Sequence, residues 1–366
     1  WRAGEIVNQQ CIKETGKASI NKANEIREEF ANNASGLLRF GLVENATEED
    51  WKQCGQLKDS FLPAYTYRPS MSAQAALASQ VSSDDVLNSF KLGLIGSTDN
   101  HKARAGAGYK EFARKSMGDS WGAKDHLTWI LPPERGASFY STGGLVAVHA
   151  NRNEIYDSLY DREVYATSGE RILLWFNLIK DNEEIPMGRE LSSSENPKFE
   201  VRALGSFKQL PGCPDYVNNS MKKEEIERLC LNECYNPSNK RNLIDRIEVI
   251  KIKPTLNLNV LQEVIQDPWL VLDCEDIGQG CSVSFEDKEF SKDETNSVYY
   301  VRAIQEETLA VGGDPLRCEY NDKGECIKIK PCYASGPDFE PSDDCLALIG
   351  ERAWSSPIFL NYLNQS

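Results

Sequence analysis

Residues 91–101 read KLGLIGSTDNH. A short apolar run there ends abruptly in Ser97, Thr98, Asp99, Asn100 and His101. A second run, residues 144–149 (GLVAVH), ends the same way at His149. It is followed by residues 153–160, where Ile155, Leu159 and Tyr160 keep helical spacing. A buried strand that discharges polar residues at its C-terminal end and passes into a helix is the unit from which α/β proteins build sites. This alternation predicts an α/β domain over residues 1–190. Upstream, Ile20, Ala23, Ile26, Phe30 and Ala34 fall on one helical stripe. Residues 72–79 (SAQAALAS) read as helix, and residues 84–90 as a further helical turn or two.

Beyond about residue 182 the texture changes. Pro186, Gly188, Pro197, Gly205, Pro211, Gly212 and Pro214 punctuate short runs. β-Branched residues alternate in 243–252 (LIDRIEVIKI) and 297–304 (SVYYVRAI). Short strands separated by turn residues predict a second, β-rich and sandwich-like domain over 191–366.

The chain has 366 residues, 40% of them hydrophobic, enough for two or three domains with cores of their own. With 41 Lys and Arg against 56 Asp and Glu, the net charge is −15, and no stretch supplies the basic face that a phosphate backbone needs. Nucleic acid is therefore not an expected partner. The longest apolar stretches, residues 92–96 and 172–176, fall far short of the roughly 20 residues that span a bilayer.

Eleven cysteines and three histidines, His101, His126 and His149, say more. Nine cysteines lie in the second half: Cys213, Cys230, Cys234, Cys274, Cys281, Cys318, Cys326, Cys332 and Cys345. Cys230 and Cys234 have the spacing of a zinc knuckle, yet no second knuckle completes a site. Disulfides in an exported, periplasmic or secreted protein are the other reading. Cys11 and Cys54 stand apart in the first half.

Asp99 and His101 carry the sharpest chemical signal. A carboxylate and an imidazole two residues apart at a strand end can converge on one divalent ion, for which both are suitable ligands. The competing reading is a helix N-cap at Ser97, Thr98 or Asp99, with His101 in the first turn.

The stretches KLGLIGSTDNHKARAGAGYKEFARKSMGD, TGGLVAVHANRNEIYDSLYDREVYATSGERILLWFNL and ERAWSSPIFLNY, with CGQLKDSFLPAYTYRP and IDRIEVIK, resemble the DUF3604 family. That family is an uncharacterised branch related to the PHP (polymerase and histidinol phosphatase) metal-dependent hydrolases. The resemblance implies the C-terminal part of a distorted (β/α)7 barrel followed by a β-rich region. It further implies two or three divalent ions, Zn, Mn or Fe, at the strand ends. Carried over by position, the last metal-binding D-x-H element of PHP proteins falls on Asp99 and His101. His149 falls in the family's G-G-L-x-A-V-H segment, either lining the site or buried for structural reasons. Arg152, Arg162 and Arg171 are similar to polar positions of the same block, as holders of an anionic substrate or as ion-pair partners.

PHP enzymes open with an H-x-H element, and this chain has none. The expectation is that these residues are the C-terminal portion of a longer family member, completed by an N-terminal companion segment or chain. The expected function is hydrolysis of a phosphoester or similar small anionic ester by metal-activated water. The alternative is a secreted, non-catalytic binding or structural protein on a degenerate fold, with Trp269, Tyr299, Tyr300 and Trp354 as a recognition platform or simply as core.

Overall fold

The computed structural model describes residues 72–83, 86–97, 144–230, 232, 234–275, 278–311, 318–322, 326–329, 340, 342 and 346–363. In chain order its elements begin with α1 (Ala73–Ala78), β1 (Gln80–Ser83), β2 (Val86–Ser89), β3 (Leu145–Val148), α2 (Ile155–Tyr160) and β4 (Val164–Thr167). There follow β5 (Leu173–Lys180), β6 (Glu183–Pro186), β7 (Glu190–Ser193), β8 (Lys198–Leu204), β9 (Phe207–Gln209), α3 (Asp215–Ser220), α4 (Lys223–Cys230) and β10 (Pro237–Arg241). The remainder comprises β11 (Ile244–Ile252), α5 (Leu261–Val264), β12 (Ile265–Asp273), β13 (Cys281–Glu286), α6 (Phe290–Asp293), β14 (Ser297–Val311), β15 (Cys318–Tyr320), β16 (Cys326–Ile329), β17 (Leu346–Ser355) and β18 (Ile358–Tyr362).

Strands dominate, and among the described residues no sheet closes into a barrel. This overturns the (β/α)7 expectation. The largest sheet has eight strands in the order β12-β11-β14-β17-β4-β3, with β18 on β14 and β7 on β18. Its pairings are antiparallel except that of β7 with β18. A (β/α) barrel requires parallel neighbours joined by crossover helices. The strand and helix read in residues 144–160 both form, but the strand that follows, β4, runs antiparallel to β3. Leu145 pairs with Thr167 and Val148 with Val164, so α2 connects antiparallel neighbours. Strands on both sides of residue 190 thus share one sheet, β3 and β4 with β11, β12, β14 and β17.

The second sheet, β13-β8-β5-β6, packs face to face on the first. Ile247, Val249, Tyr299, Val301 and Ala303 of the large sheet meet Phe176, Phe199, Val201 and Phe285 of the small one. At the centre the Phe199 ring lies 4.9 Å from both Phe285 and Tyr299 and 5.4 Å from Phe176, centroid to centroid. Trp269 packs against this cluster, edge-on to Phe285 and Tyr299. Cys274 is bonded to Cys281, a covalent tie from the end of β12 to the start of β13 and hence from one sheet to the other.

The opposite face of the large sheet is covered too, which is why β11 is buried at nearly every position rather than at alternate ones. Ile250, Ile252, Val298, Tyr300 and Phe359 there pack on Leu77 and Ala78 of α1, with Leu92, Leu94 and Trp354. Helix α1 is a short alanine-rich segment started by Ser72, whose hydroxyl accepts the Ala75 N–H at 3.1 Å. Residues 86–89, read as helix, are instead β2, in register with β1 from Gln80–Ser89 to Ser83–Val86. Residues 91–97 join no strand ladder. Leu92 and Leu94 face the sheet, Ile95 is exposed, and the Leu94 N–H donates to Ser356 Oγ at 2.9 Å. Tyr299 and Tyr300 are buried in the two cores, and Trp269 and Trp354 pack on them, so these four form core rather than a recognition platform.

Candidate functional site

Asp99 and His101 lie outside the described residues, as does His126. Ser97 and Gly144 are neighbours, the Gly144 N–H donating to the Ser97 carbonyl at 3.0 Å. Two glycines permit this crossing. A Cβ on Gly96 would sit 2.6 Å from the Leu145 carbonyl oxygen and 3.0 Å from that of Thr167. One on Gly144 would sit 3.1 Å from Ser97 N and 3.2 Å from the Thr167 carbonyl oxygen. Backbones approach here too closely for any other residue at Gly96.

Beyond Thr167 the ladder between β4 and β17 ends, its last pair being Thr167 with Ala353. Side chains take over from there. Ser168 N–H donates to the Arg352 carbonyl at 2.9 Å, and Arg352 N–H donates to Ser168 Oγ at 2.9 Å. The Ser168 hydroxyl in turn donates to the Glu351 carboxylate. Gly169 N–H donates to Thr167 Oγ1 at 3.2 Å, which closes the turn. Glu351 is 0% exposed and Arg352 1%, with Arg352 Nε donating to the Gly350 carbonyl at 3.3 Å. Ser168 and Glu170 are buried as well. A carboxylate and a hydroxyl thus meet out of water beside the end of β4, with the buried Arg352 joined to Ser168 through its backbone, an arrangement that is costly unless each polar group is hydrogen-bonded. The sequence signal for it was two consecutive charges, Glu351 and Arg352, inside the mostly apolar run ALIGERAWSSPIFL. Period-2 alternation sends such neighbours to opposite faces of a sheet, so one of them must go inward.

The other candidates sit in separate settings. His149 stacks on Trp175 at 4.6 Å and on Tyr165 at 5.4 Å. Its Nε2 lies 2.8 Å from the Leu174 carbonyl oxygen, an acceptor only, which makes Nε2 the protonated nitrogen. His149 follows Gly144 by five residues of strand and turn, about 16 Å of extended chain. It therefore stands at the far end of β3 from the Ser97 crossing. Burial pushes the neighbouring Tyr165 hydroxyl up to about 12, and that hydroxyl donates to the Ile172 carbonyl at 3.1 Å. Arg152 is exposed in the turn after His149. The Arg171 guanidinium lies over the Tyr235 ring, 4.0 Å from its centroid. Arg162 has a left-handed backbone, φ 64°, and its Nε donates to the Gly188 carbonyl at 3.1 Å. Its charge also acts on Glu190. Burial raises that carboxyl, but hydrogen bonds from Lys91 and Asn361 and the charges of Lys91 and Arg162 together hold it below the usual range.

Cys234 is bonded to Cys213, which removes it as a thiolate ligand and with it the zinc-knuckle reading of Cys230 and Cys234. Among the described residues no group of three or more His, Cys, Asp or Glu side chains is arranged to hold a metal ion. Among them, too, no helix is long and apolar enough to cross a membrane. No curated protein matches the chain, and no solved structure does. A model of the family described as "Protein of unknown function (DUF3604)" matches residues 67–208, the span that holds Asp99, His101, His149, Arg152, Arg162, Ser168 and Arg171.

Proposed function

We propose that the chain serves a metal-dependent hydrolase acting on a phosphoester or similar small anionic ester. The observation that carries this reading is the donor set Asp99 and His101, an oxygen and a nitrogen ligand two residues apart, in a span matched by the family model. The reading takes its metal chemistry from the PHP hydrolases, towards which the family resemblance points, and leaves their barrel aside. Asp99 and His101 would hold a divalent ion, Zn, Mn or Fe. The chemistry supplied by such an ion is activation of a bound water and neutralisation of charge on the ester oxygens.

The chain's own residues would do the rest. With a net charge of −15, attraction of an anion falls to local groups, and exposed Arg152 is the described candidate for that task. Arg171 and Arg162, engaged with Tyr235 and Gly188, suit a supporting role better. An exported setting, periplasmic or extracellular, belongs to the same proposal, and the two disulfides among the described residues support it.

Metal analysis of the purified protein tests the reading directly. The expected result is stoichiometric Zn, Mn or Fe, lost on Asp99→Ala or His101→Ala together with hydrolysis of a generic aryl phosphoester. Less than about 0.2 equivalents of metal after incubation with all three ions would sink it.

A further inference from the structure

A lysine and an aspartate from different sheets meet inside the sandwich. Lys251 lies on β11 of the large sheet, between Gln266 of β12 and Tyr299 of β14. Asp287 directly follows β13 of the small sheet, its N–H donating to the Pro197 carbonyl at 3.1 Å. Lys251 Nζ stands 2.5 Å from Asp287 Oδ2, and the two residues are 3% and 0% exposed. Their surroundings are aromatic, with Nζ 5.4 Å from the Trp269 ring centroid and 6.0 Å from that of Tyr299. The Tyr299 hydroxyl donates to the same Oδ2 at 2.6 Å, and the Glu289 N–H donates to Oδ1 at 3.1 Å. Asp293 Oδ2 accepts from Nζ at 3.4 Å and so orients it from a second side.

We propose that Lys251 and Asp287 join in an isopeptide bond that closes in the folded chain and fastens β11 to the end of β13. The proposal is independent of the metal-dependent reading and needs no co-reactant. Held as separate charges out of water, the pair is costly. Proton transfer within it gives an amine and a carboxylic acid, both neutral. A desolvated lysine amine beside an acyl carbon is a nucleophile in place. Oδ2 is one bond of about 1.2 Å from Cγ, so Nζ stands within about 4 Å of that carbon, near the roughly 3–3.5 Å of a reacting pair. As Nζ attacks, charge develops on Oδ2, where Tyr299 donates. Burial, with Asp287 beside it, pushes the Tyr299 hydroxyl far up and keeps it a donor. A second proton then passes from Nζ to Oδ1, the Cγ–Oδ1 bond breaks and one water leaves. The opposite charges cancel, and nothing is oxidised or reduced. With Cys281 at the start of β13 bonded to Cys274, both ends of that strand would be tied to the large sheet, one by a bond that reductant opens and one by a bond that it does not.

Mass spectrometry of the full chain tests this. The folded protein is reduced, alkylated and weighed intact, and its tryptic peptides are fragmented. The expected result is a chain lighter than its sequence by one water, with a branched fragment joining the peptides that carry Lys251 and Asp287. Lys251→Arg, which keeps the charge but leaves no amine to acylate, is expected to have its full mass, as is Asp287→Ala. Folded, unaltered protein of full mass overturns the proposal. So does a water loss confined to the Asp287 peptide, the mark of a cyclic imide, or one that persists in Lys251→Arg. The deciding measurement is on the unaltered chain and does not depend on either variant folding.

Discussion

Asp293 accepts from Lys253 Nζ at 2.6 Å and lies 3.4 Å from Lys251 Nζ. Lys251 is itself buried and reaches Asp287 at 2.5 Å, where the Tyr299 hydroxyl donates at 2.6 Å. The hydrogen bond from Lys253 holds the Asp293 carboxyl below the usual carboxylate range; burial opposes it, and the charges of Lys253 and Lys251 assist. A depressed folded value means stability that is present above the ordinary carboxylate pKa of about 4 and lost as pH falls through the folded value. Asp293→Asn should therefore lower the urea midpoint at pH 7, and the gap to the unaltered protein should close as pH falls below the ordinary carboxylate value of about 4. A gap independent of pH would show that packing and not charge is at stake. Burial, with Asp287 beside it, pushes the Tyr299 hydroxyl far up, so it remains a donor throughout this range. None of these partners is visible locally. Arg302 bonds Glu248 at 2.9 Å and Asp267 at 3.1 Å, 54 and 35 residues away in sequence. Nothing in the run SVYYVRAI names them.

Among elements, those with strong patterns were legible. Residues 243–252 became β11 and residues 297–304 the first half of β14, because alternating β-branched residues suit a pleated surface wherever it pairs. Residues 153–160 became α2 over Ile155–Tyr160. Weak patterns failed for lack of context. Residues 86–89 pair with β1, since strand partners outweigh the modest helix preference of four residues. The run 91–97 is apolar enough for a strand but packs across the covered face of the large sheet, where Leu92 and Leu94 bury and Ile95 does not. At the end of that run Gly96 is the sensitive position. Gly96→Ala places a carbon 2.6 Å from the Leu145 carbonyl oxygen, and the backbone must move. The expected cost is about 1–3 kcal/mol in chemical denaturation. An unchanged midpoint would mean that the crossing yields freely.

At the scale of the whole molecule, two sheets share one core and one covalent tie. Cys274 and Cys281 are 7 residues apart in sequence but belong to different sheets. A short closed loop removes little entropy from the unfolded chain, so the bond should contribute about 2–3 kcal/mol. The Cys274→Ser, Cys281→Ser double variant should unfold at lower urea by that amount, and reductant should shift the unaltered protein in the same direction. A larger loss would mean that the tie also sets how the sheets pack. The sequence by itself determined the individual strands of β11 and β14, helices α1 and α2, the crowding of cysteines into the second half, and Asp99 with His101 as a ligand pair to test. Tertiary structure decided the rest. Alternating strand and helix signals in residues 144–167 are identical for parallel and antiparallel neighbours, because hydrophobic periodicity reports which face is buried and not which partner lies alongside. The antiparallel pairing of β4 with both β3 and β17 replaced the expected barrel with an antiparallel sheet and brought the buried Ser168 hydroxyl onto Glu351, 183 residues away in sequence.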